Sequence, residues 1–458
     1  MHIKLSRFRE FFEEIFDSSS IHGFPYVIRR DFHVLEKMFW LMILAVSFYC
    51  AQEAFSGQLK RYEDNPTVLS VDIVSYGEFD RPSFTICTSN YNTTAVMGSI
   101  VKKFFGVEPG DERYNESVKF VEQIKATMYN TLNLLQPFND MPGVNDLNLM
   151  DMAYDLFKDY PTAGIQFAKV MTERGMCQSS TTHFKWQLPI KSTSPFERVN
   201  GTIDRGDKCT SLEVCRISVT PNNLDVEAVN RIVRISMEIS TVFDINLLNH
   251  YQYINSYDEV MCGDDLDYVE LAGSSIQERH VKIDDIIADP NIRHFKPKSR
   301  KCKFMDEHQQ DGYYDLYTPN FCKMSCRIRR ALRYCKCVPY FYPVRGVKFC
   351  NMTGLICLSK TEWYDASKCE CMKLCETTIL TKLSSKDQNL QFDRMLTIDL
   401  IFPKTRIKRS VLFDFDDLLV GLGGSLALFL GLSFLCSIEL VYHIIEYCLE
   451  MIINCVKP

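Results

Sequence analysis

Leu418–Ile438 reads LLVGLGGSLALFLGLSFLCSI, 21 consecutive residues without a charge. At about 1.5 Å of helix rise per residue, such a run is long enough to cross the hydrocarbon of a bilayer. The apolar pattern then continues to Ile453 around Glu439, His443 and Glu446. An anchor needs only apolar bulk, but this run also carries Gly421, Gly423, Gly424 and the triplet Gly431-Leu432-Ser433. Small residues let helices approach closely, or let backbone open toward water, and tight packing alone asks for the same residues. Glu439 is harder to place in a mere anchor, because a carboxylate inside a membrane segment costs at least about 3 kcal/mol unless it faces water or a partner. His443, Glu446 and Glu450 follow at offsets of 4, 7 and 11, one stripe of a helix. Glu446 and Glu450 read as interfacial, and Glu439, six residues past Ser433, as the pore candidate. One carboxylate per subunit around a symmetry axis makes a ring that attracts cations.

Toward the amino terminus, Met38–Gln52 (MFWLMILAVSFYCAQ) is a second uncharged run. It is short for a span, but Lys37 and Glu53 can snorkel to the interfaces and Trp40 sits where an aromatic anchor belongs. A cleaved signal peptide is the rival reading. The 37 residues before the run carry many charges and no small-residue cleavage site follows it, so an uncleaved span is expected. Arg29, Arg30 and Lys37 on one side against Lys60 and Arg61 on the other give only a weak orientation bias, and Lys404, Arg406, Lys408 and Arg409 precede the carboxyl-terminal span.

Cysteine decides the orientation. Of 19 cysteines, 15 lie from Cys87 to Cys375, and the four Asn-x-Ser/Thr triplets, at Asn92, Asn115, Asn200 and Asn351, fall in the same stretch. Dense cysteines together with confined glycosylation triplets imply an oxidising, extracellular compartment for everything between the spans. Both termini are then cytosolic. The expected organisation is a cytosolic segment at 1–37, a first span at 38–56, an extracellular domain at 57–412, a pore-lining span at 413–449 and a short tail at 450–458.

Within the extracellular stretch, Ser70–Cys87 and Leu396–Phe402 have strand character, and because both adjoin a span they are expected to pair near the membrane. Val118–Leu135 and Leu147–Lys158 read as helices, Asn200–Arg216 as turn-rich, and Ile232–Phe243 and Tyr268–Ala272 as further strands. No internal repeat or low-complexity linker divides the stretch, which favours one interlocked α+β domain. The formal charge of -6 is mild, and no basic block points to nucleic acid. A nucleophile elbow, a phosphate-binding glycine loop and a zinc His-Glu-x-x-His helix are all missing, so the chain does not read as an enzyme and no metal or cofactor is expected.

From Cys302 the cysteines run Cys322-x3-Cys326, Cys335-x-Cys337, Cys350, Cys357, Cys369-x-Cys371 and Cys375. The spacing lacks the C-x2-C pairs of zinc ribbons, and the compartment favours disulfides whose pairing composition does not set. This register resembles the degenerin/epithelial sodium channel family. So do His22-Gly23 before the first span, Arg81–Cys87 (RPSFTIC) after it, Gly175-Met176-Cys177, and Gly431-Leu432-Ser433 in the second span. Gln178–Thr181 departs from the family's YTFN stretch, and Leu432 stands where alanine or serine is commoner. Cys335–Pro343 and Tyr62–Pro66 look most like the insect pickpocket branch. The likeness is thin between about Asn90 and Val170, where sensing tends to differ among relatives.

The resemblance implies two membrane helices flanking a large disulfide-rich extracellular domain of palm, ball, finger, thumb and knuckle, assembled as a trimer. It implies the pairs Cys87–Cys177, Cys302–Cys375, Cys322–Cys371, Cys326–Cys369, Cys335–Cys357 and Cys337–Cys350, with 302–375 forming the thumb. Cys209 with Cys215 is then a plausible short loop and Cys262 an odd thiol. By the same likeness Gly431, Leu432 and Ser433 form the selectivity filter, Val420 flanks the gate, and His22-Gly23 is a cytosolic gating motif; Gly421, Gly424 and Glu439 complete the pore and gate candidates. The implied function is a voltage-independent, sodium-selective, amiloride-sensitive plasma-membrane channel subunit, set in lipid, forming homo- or hetero-trimers with related subunits and answering an extracellular stimulus the residues do not identify. A non-conducting accessory or ligand-binding two-span protein is the alternative. An ATP-gated trimer has a similar plan, but its cysteine spacing and basic ATP-binding motifs are absent.

Overall fold

The protein is described here from a computed structural model covering residues 23–28, 31–64, 66–73, 83–88, 93–159, 168–179, 224–229, 232–238, 250–256, 259, 261–264, 268–271, 275–307, 313–314, 316–342, 344, 346–389, 395–401 and 405–456. His22, Asn92, Asn200, Cys209, Cys215 and the turn-rich stretch 200–216 lie outside the described residues.

The helices are α1 (Phe24–Ile28), α2 (Val34–Asp64), α3 (Thr94–Phe105), α4 (Tyr114–Ala126), α5 (Leu149–Phe157), α6 (Pro297–Arg300), α7 (Pro319–Cys335), α8 (Met352–Ser359), α9 (Phe415–Leu430) and α10 (Phe434–Val456). The strands are β1 (Thr67–Ile73), β2 (Ser83–Thr88), β3 (Ala168–Thr172), β4 (Gly175–Ser179), β5 (Leu224–Val229), β6 (Ile232–Glu238), β7 (His250–Asn255), β8 (Tyr268–Leu271), β9 (Ser275–Ala288), β10 (Cys302–Lys303), β11 (Lys373–Leu374), β12 (Thr377–Asn389), β13 (Met395–Ile401) and β14 (Thr405–Val411). The chain forms two compact units, one of residues 1–69, 289–300 and 410–458, the other of 70–288 and 301–409.

The larger unit contains two main sheets. In the seven-stranded sheet, β1, β14, β9, β13, β6 and β5 lie in that order, and β12 also pairs with β9. β13 runs parallel to β9 and antiparallel to β6. Ser70–Cys87, expected as one neighbour of Leu396–Phe402, instead serves two sheets, since β1 lies beside β14 while β2 joins the other sheet. β13 also departs from the simple inside/outside alternation of its sequence. Thr397, Ile398, Asp399 and Leu400 are all buried, so both faces of the strand are covered there, and Asp399 is matched by His280 Nδ1 at 3.3 Å. Asp285 likewise meets Arg406 Nε at 2.8 Å.

The five-stranded sheet runs β3, β4, β2, β7, β8, each neighbour antiparallel. Cys87 and Cys177 face each other in its register, and a disulfide joins them with Cα atoms 4.2 Å apart. An apolar core packs beside it around Phe120, Val121, Leu135, Met152, Phe157 and Trp363. α4 stops at Ala126, where Thr127 turns extended, and the chain resumes as a 3-10 turn at Leu132–Phe138, so the helix expected over Val118–Leu135 is divided.

α7 starts as its sequence dictates. Thr318 caps it by accepting the Phe321 N–H at 3.1 Å, and Pro319 occupies the first turn, where its missing N–H costs nothing. Disulfides join Cys302 to Cys375, Cys322 to Cys371, Cys326 to Cys369, Cys335 to Cys357 and Cys337 to Cys350, the same partners the resemblance implies. Cys322 and Cys326 stand one helical turn apart, which lets Cys371 and Cys369, two residues apart on a non-helical segment, meet them as successive rungs. Gly354 is required beside the last rung, since a Cβ there would lie 2.6 Å from Cys337 Sγ.

The smaller unit is built on α2, 31 residues and about 46 Å long, more than a bilayer core requires. α2 is long and apolar enough to cross a membrane by itself, whereas α9 and α10 are so only when taken together. α1 folds back along α2. Tyr26 stacks on Trp40 with ring centroids 4.6 Å apart, so residues 23–28 lie beside α2 and are not simply a tail preceding it.

Candidate pore and gating site

The expected continuous helix over 413–449 is broken at the glycine triplet. α9 opens with a capping box in which Asp414 accepts the Phe415 N–H at 2.7 Å and Asp417 accepts the Asp414 N–H at 2.9 Å. Asp416 and Asp417 in this first turn also complement the helix dipole. α9 ends at Gly431, which adopts a left-handed φ of 70° that glycine alone takes without penalty, and its N–H bonds the Ala427 carbonyl at 3.0 Å. Leu432 and Ser433 are non-helical, and Ser433 Oγ accepts the Cys436 N–H at 3.2 Å, capping α10. The two helix axes differ by 83° across this break. A glycine C-cap followed by a serine N-cap is a signal the sequence carries, hidden inside a run that reads as uniformly apolar.

The remaining pore candidates fall on either side of the break. Val420 is 74% exposed, and a Cβ added at Gly423 or Gly424 would meet nothing within 4 Å, so this part of α9 has an open face. Gly421 faces α2. A Cβ there would lie 1.9 Å from Gln58 Oε1, so only glycine admits this approach without displacing the side chain. Glu439 is exposed on α10, and one turn farther His443 Nδ1 lies 3.5 Å from Glu446 Oε2. At the other end of the unit, Gly23 is buried with φ of 100°, and its Cβ would come 3.2 Å from Leu44 Cδ2. Its motif partner His22 is outside the described residues.

Several contacts of this unit were not anticipated from sequence. Pro66, just past α2, accepts the N–H groups of Leu412 at 2.7 Å and Phe413 at 3.2 Å, tying the two chain segments that enter the helices. The loop 289–300 leaves β9 and packs on α2, where Phe295 meets Tyr62 edge-on with centroids 5.6 Å apart. Gln58 and Tyr62, one turn apart on α2 beyond its apolar run, are the sequence signal that this end of the helix has protein partners.

A residue-level link also appears in the cysteine-rich region. Arg327 on α7 is fully buried and its Nη1 donates to Glu173 Oε2 at 2.6 Å, while Nη2 pairs with Asp264. Glu173, in the β3–β4 turn, also accepts from the Gly263 N–H at 2.6 Å and from the Tyr342 hydroxyl, and the Cys262 sulfur lies 3.3 Å away. The guanidinium stacks 4.7 Å over the Tyr129 ring. Burial alone would lower the Arg327 pKa, but Glu173 and its neighbours outweigh it and hold the group above its ordinary value. Burial, then the Asp264 carboxylate, pushes the Tyr129 hydroxyl up to about 12, and burial with Glu173 pushes Tyr342 up as well.

The decisive comparison is with protein families. The family model described as "Amiloride-sensitive sodium channel" matches residues 15–443, from before α1 to within α10. The chain belongs to the amiloride-sensitive sodium channel family. Members are ion channels, not enzymes, and assemble as oligomers of related subunits. Relatives from the fruit fly Drosophila melanogaster match along nearly the whole length. Sodium channel protein Nach is 22% identical over 93% of this chain and 85% of its own, and pickpocket protein 19 is 21% identical over 95% and 90%. Acid-sensing ion channel 4-B of the zebrafish Danio rerio is 23% identical over 34% of this chain and 32% of its own.

Proposed function

We propose that this chain is a subunit of a trimeric, voltage-independent, sodium-selective, amiloride-sensitive plasma-membrane channel gated through its extracellular domain. α2 crosses the bilayer once and α9 with α10 crosses it again as one broken span, leaving both termini cytosolic and the disulfide-rich unit outside. The observation that carries this reading is the break at Gly431–Ser433 inside the apolar pair α9 and α10. A bilayer tolerates non-helical backbone only where it is buried in protein or lines water.

At such a break, three symmetry-related Gly431-Leu432-Ser433 segments present backbone carbonyls and the Ser433 hydroxyl to a permeating ion, replacing part of its hydration shell. Glu439, exposed beyond the break, contributes one carboxylate per subunit to a ring that concentrates cations. Val420, Gly421 and Gly424 lie where α9 narrows the path above the filter, and Gly23, which packs against Leu44 of α2, belongs with His22 to the cytosolic gating motif. Asn115, exposed on α4, and Asn351, exposed at the α8 N-cap, accept glycans along with Asn92 and Asn200.

The test is current recorded from membranes containing the chain, alone and with a related subunit, with sodium exchanged for potassium and with amiloride added. The expected result is an inward, voltage-independent current that falls when potassium replaces sodium and is blocked by amiloride. Glu439→Gln is expected to lower that current. Currents indifferent to the cation, to amiloride and to Glu439→Gln would refute the reading.

A further inference from the structure

Arg300 is 1% exposed, a position that long charged side chains rarely occupy. It ends α6, the last element of the loop 289–300. Its Nη1 reaches back along the loop to the carbonyls of Phe295 at 3.0 Å, Arg293 at 3.3 Å and Ile292 at 3.5 Å. These groups close the carboxyl end of the 3-10 turn Pro290–His294, whose amino end is capped by Asp289 accepting the Asn291 N–H at 2.9 Å. The stretch between is stapled by the Phe295 N–H to Ile292 and by the Ser299 and Arg300 N–H groups to Lys296. A nine-residue path from Ile292 to Arg300 is thereby closed on itself by one side-chain nitrogen shared among three carbonyls.

What this closure holds in place is the Phe295 ring. Phe295 is 7% exposed and its ring sits edge-on to Tyr62 of α2. The residue carrying the guanidinium is also two positions before Cys302, which is fixed by a disulfide to Cys375, and the one residue between, Lys301, is held at a left-handed φ of 58°. The chain therefore leaves the loop through a constrained residue directly into the first thumb disulfide. A slack loop would absorb any displacement of Cys302 in its own dihedral angles. A closed one carries it to the ring that touches α2.

We infer that Arg300 is a positioning residue, which by bonding the Ile292, Arg293 and Phe295 carbonyls makes the loop a rigid lever that keeps Phe295 on Tyr62. Its consequence for gating rests on the channel reading above, whereas the positioning itself does not. The test uses the full-length chain at the cell surface with Tyr62→Cys and Phe295→Cys introduced together, exposed to a short bifunctional thiol reagent, and linked peptides quantified by mass spectrometry. Because proximity and orientation set such rates, Arg300→Met is expected to slow linking by about tenfold or more and Arg300→Lys by about two- to threefold. Lys298→Met, at an exposed site on the same turn, is expected to leave the rate unchanged.

Equal linking rates in the parent and in Arg300→Met at matched surface abundance would overturn the inference. So would an equal loss in Lys298→Met. If Arg300→Met does not reach the surface, Arg300→Lys decides, because a rate equal to the parent's overturns the lever. In conducting complexes, Arg300→Lys and Phe295→Ala should each change open probability, and the double variant should do no more than Phe295→Ala alone. Altered linking in a chain that carries no current either alone or with a related subunit would sink the channel reading and leave the positioning role standing, and normal current with unaltered linking would do the reverse.

Discussion

The cysteine-rich region around α7 and the unit of α2, α9 and α10 are held by different kinds of bond. Around α7, five disulfides and a fully buried Arg327–Glu173 pair fix each element to several others. Where α2 meets its neighbours toward its carboxyl end the described contacts are lighter, among them a Gln58 side chain against Gly421, two N–H groups on the Pro66 carbonyl, and an aromatic edge at Tyr62 and Phe295. The first region is expected to move as a body, because disturbing it breaks covalent bonds or strands a buried charge. The second is expected to rearrange, because each of its contacts can be remade elsewhere at small cost. A channel needs both, a stiff part to carry a displacement and a soft part to turn it into an opening.

The largest expected effect comes from the buried charge. Arg327→Met leaves Glu173 uncompensated and is expected to destabilise the extracellular unit by about 3–5 kcal/mol, with part recovered when Glu173→Gln is added. Thermal unfolding of the solubilised protein measures it, and a loss below about 1 kcal/mol would dissolve the contrast between the regions. Replacing Cys322 and Cys371 together by serine is expected to cost about 2–4 kcal/mol in the same assay. Gly354→Ala, forced against Cys337 Sγ, is expected to cost about 1–3 kcal/mol.

A smaller effect is expected at high pH. The Tyr129 and Tyr317 hydroxyls are both raised to about 12, chiefly by burial, from an ordinary value of 10. The unfolded chain then loses these protons first, so the stability they confer is complete below pH 10 and is lost as pH rises toward 12. Tyr129→Phe should flatten that part of the stability profile, and an unchanged slope would speak against the burial account. Least of all should unfolding respond to Gly421→Ala, within about 0.5 kcal/mol, because the atom it meets is the end of a flexible side chain. Its open probability should nevertheless change, and a variant altering unfolding but not current would invert the comparison.

The difference between the regions also explains what could be read in advance. Cysteine pairs and long apolar runs announce themselves because their chemistry is local to the residue type, and β13 and α5 were visible from periodicity. β9, which three other strands join, was not. Its inward positions include Gln277, Arg279 and Asp285, so the alternation of burial is not an alternation of hydrophobicity. The Arg327–Glu173 pair spans 154 residues, and no short-range pattern marks either partner. The break at Gly431–Ser433 was masked for the opposite reason, since leucines and phenylalanines on both sides make the run look continuous, and only the glycine cap and serine cap within it mark two helices.

The account stands on water and cations reaching the backbone between α9 and α10. The direct measurement is current through complexes in which Gly431, Ser433 or Glu439 is replaced by cysteine, before and after a small, permeant, charged thiol reagent. The account predicts progressive, irreversible block at Ser433→Cys and Glu439→Cys, faster when the channel is open. Currents of undiminished size after the reagent, at all three positions, would place the ion path elsewhere and contradict it.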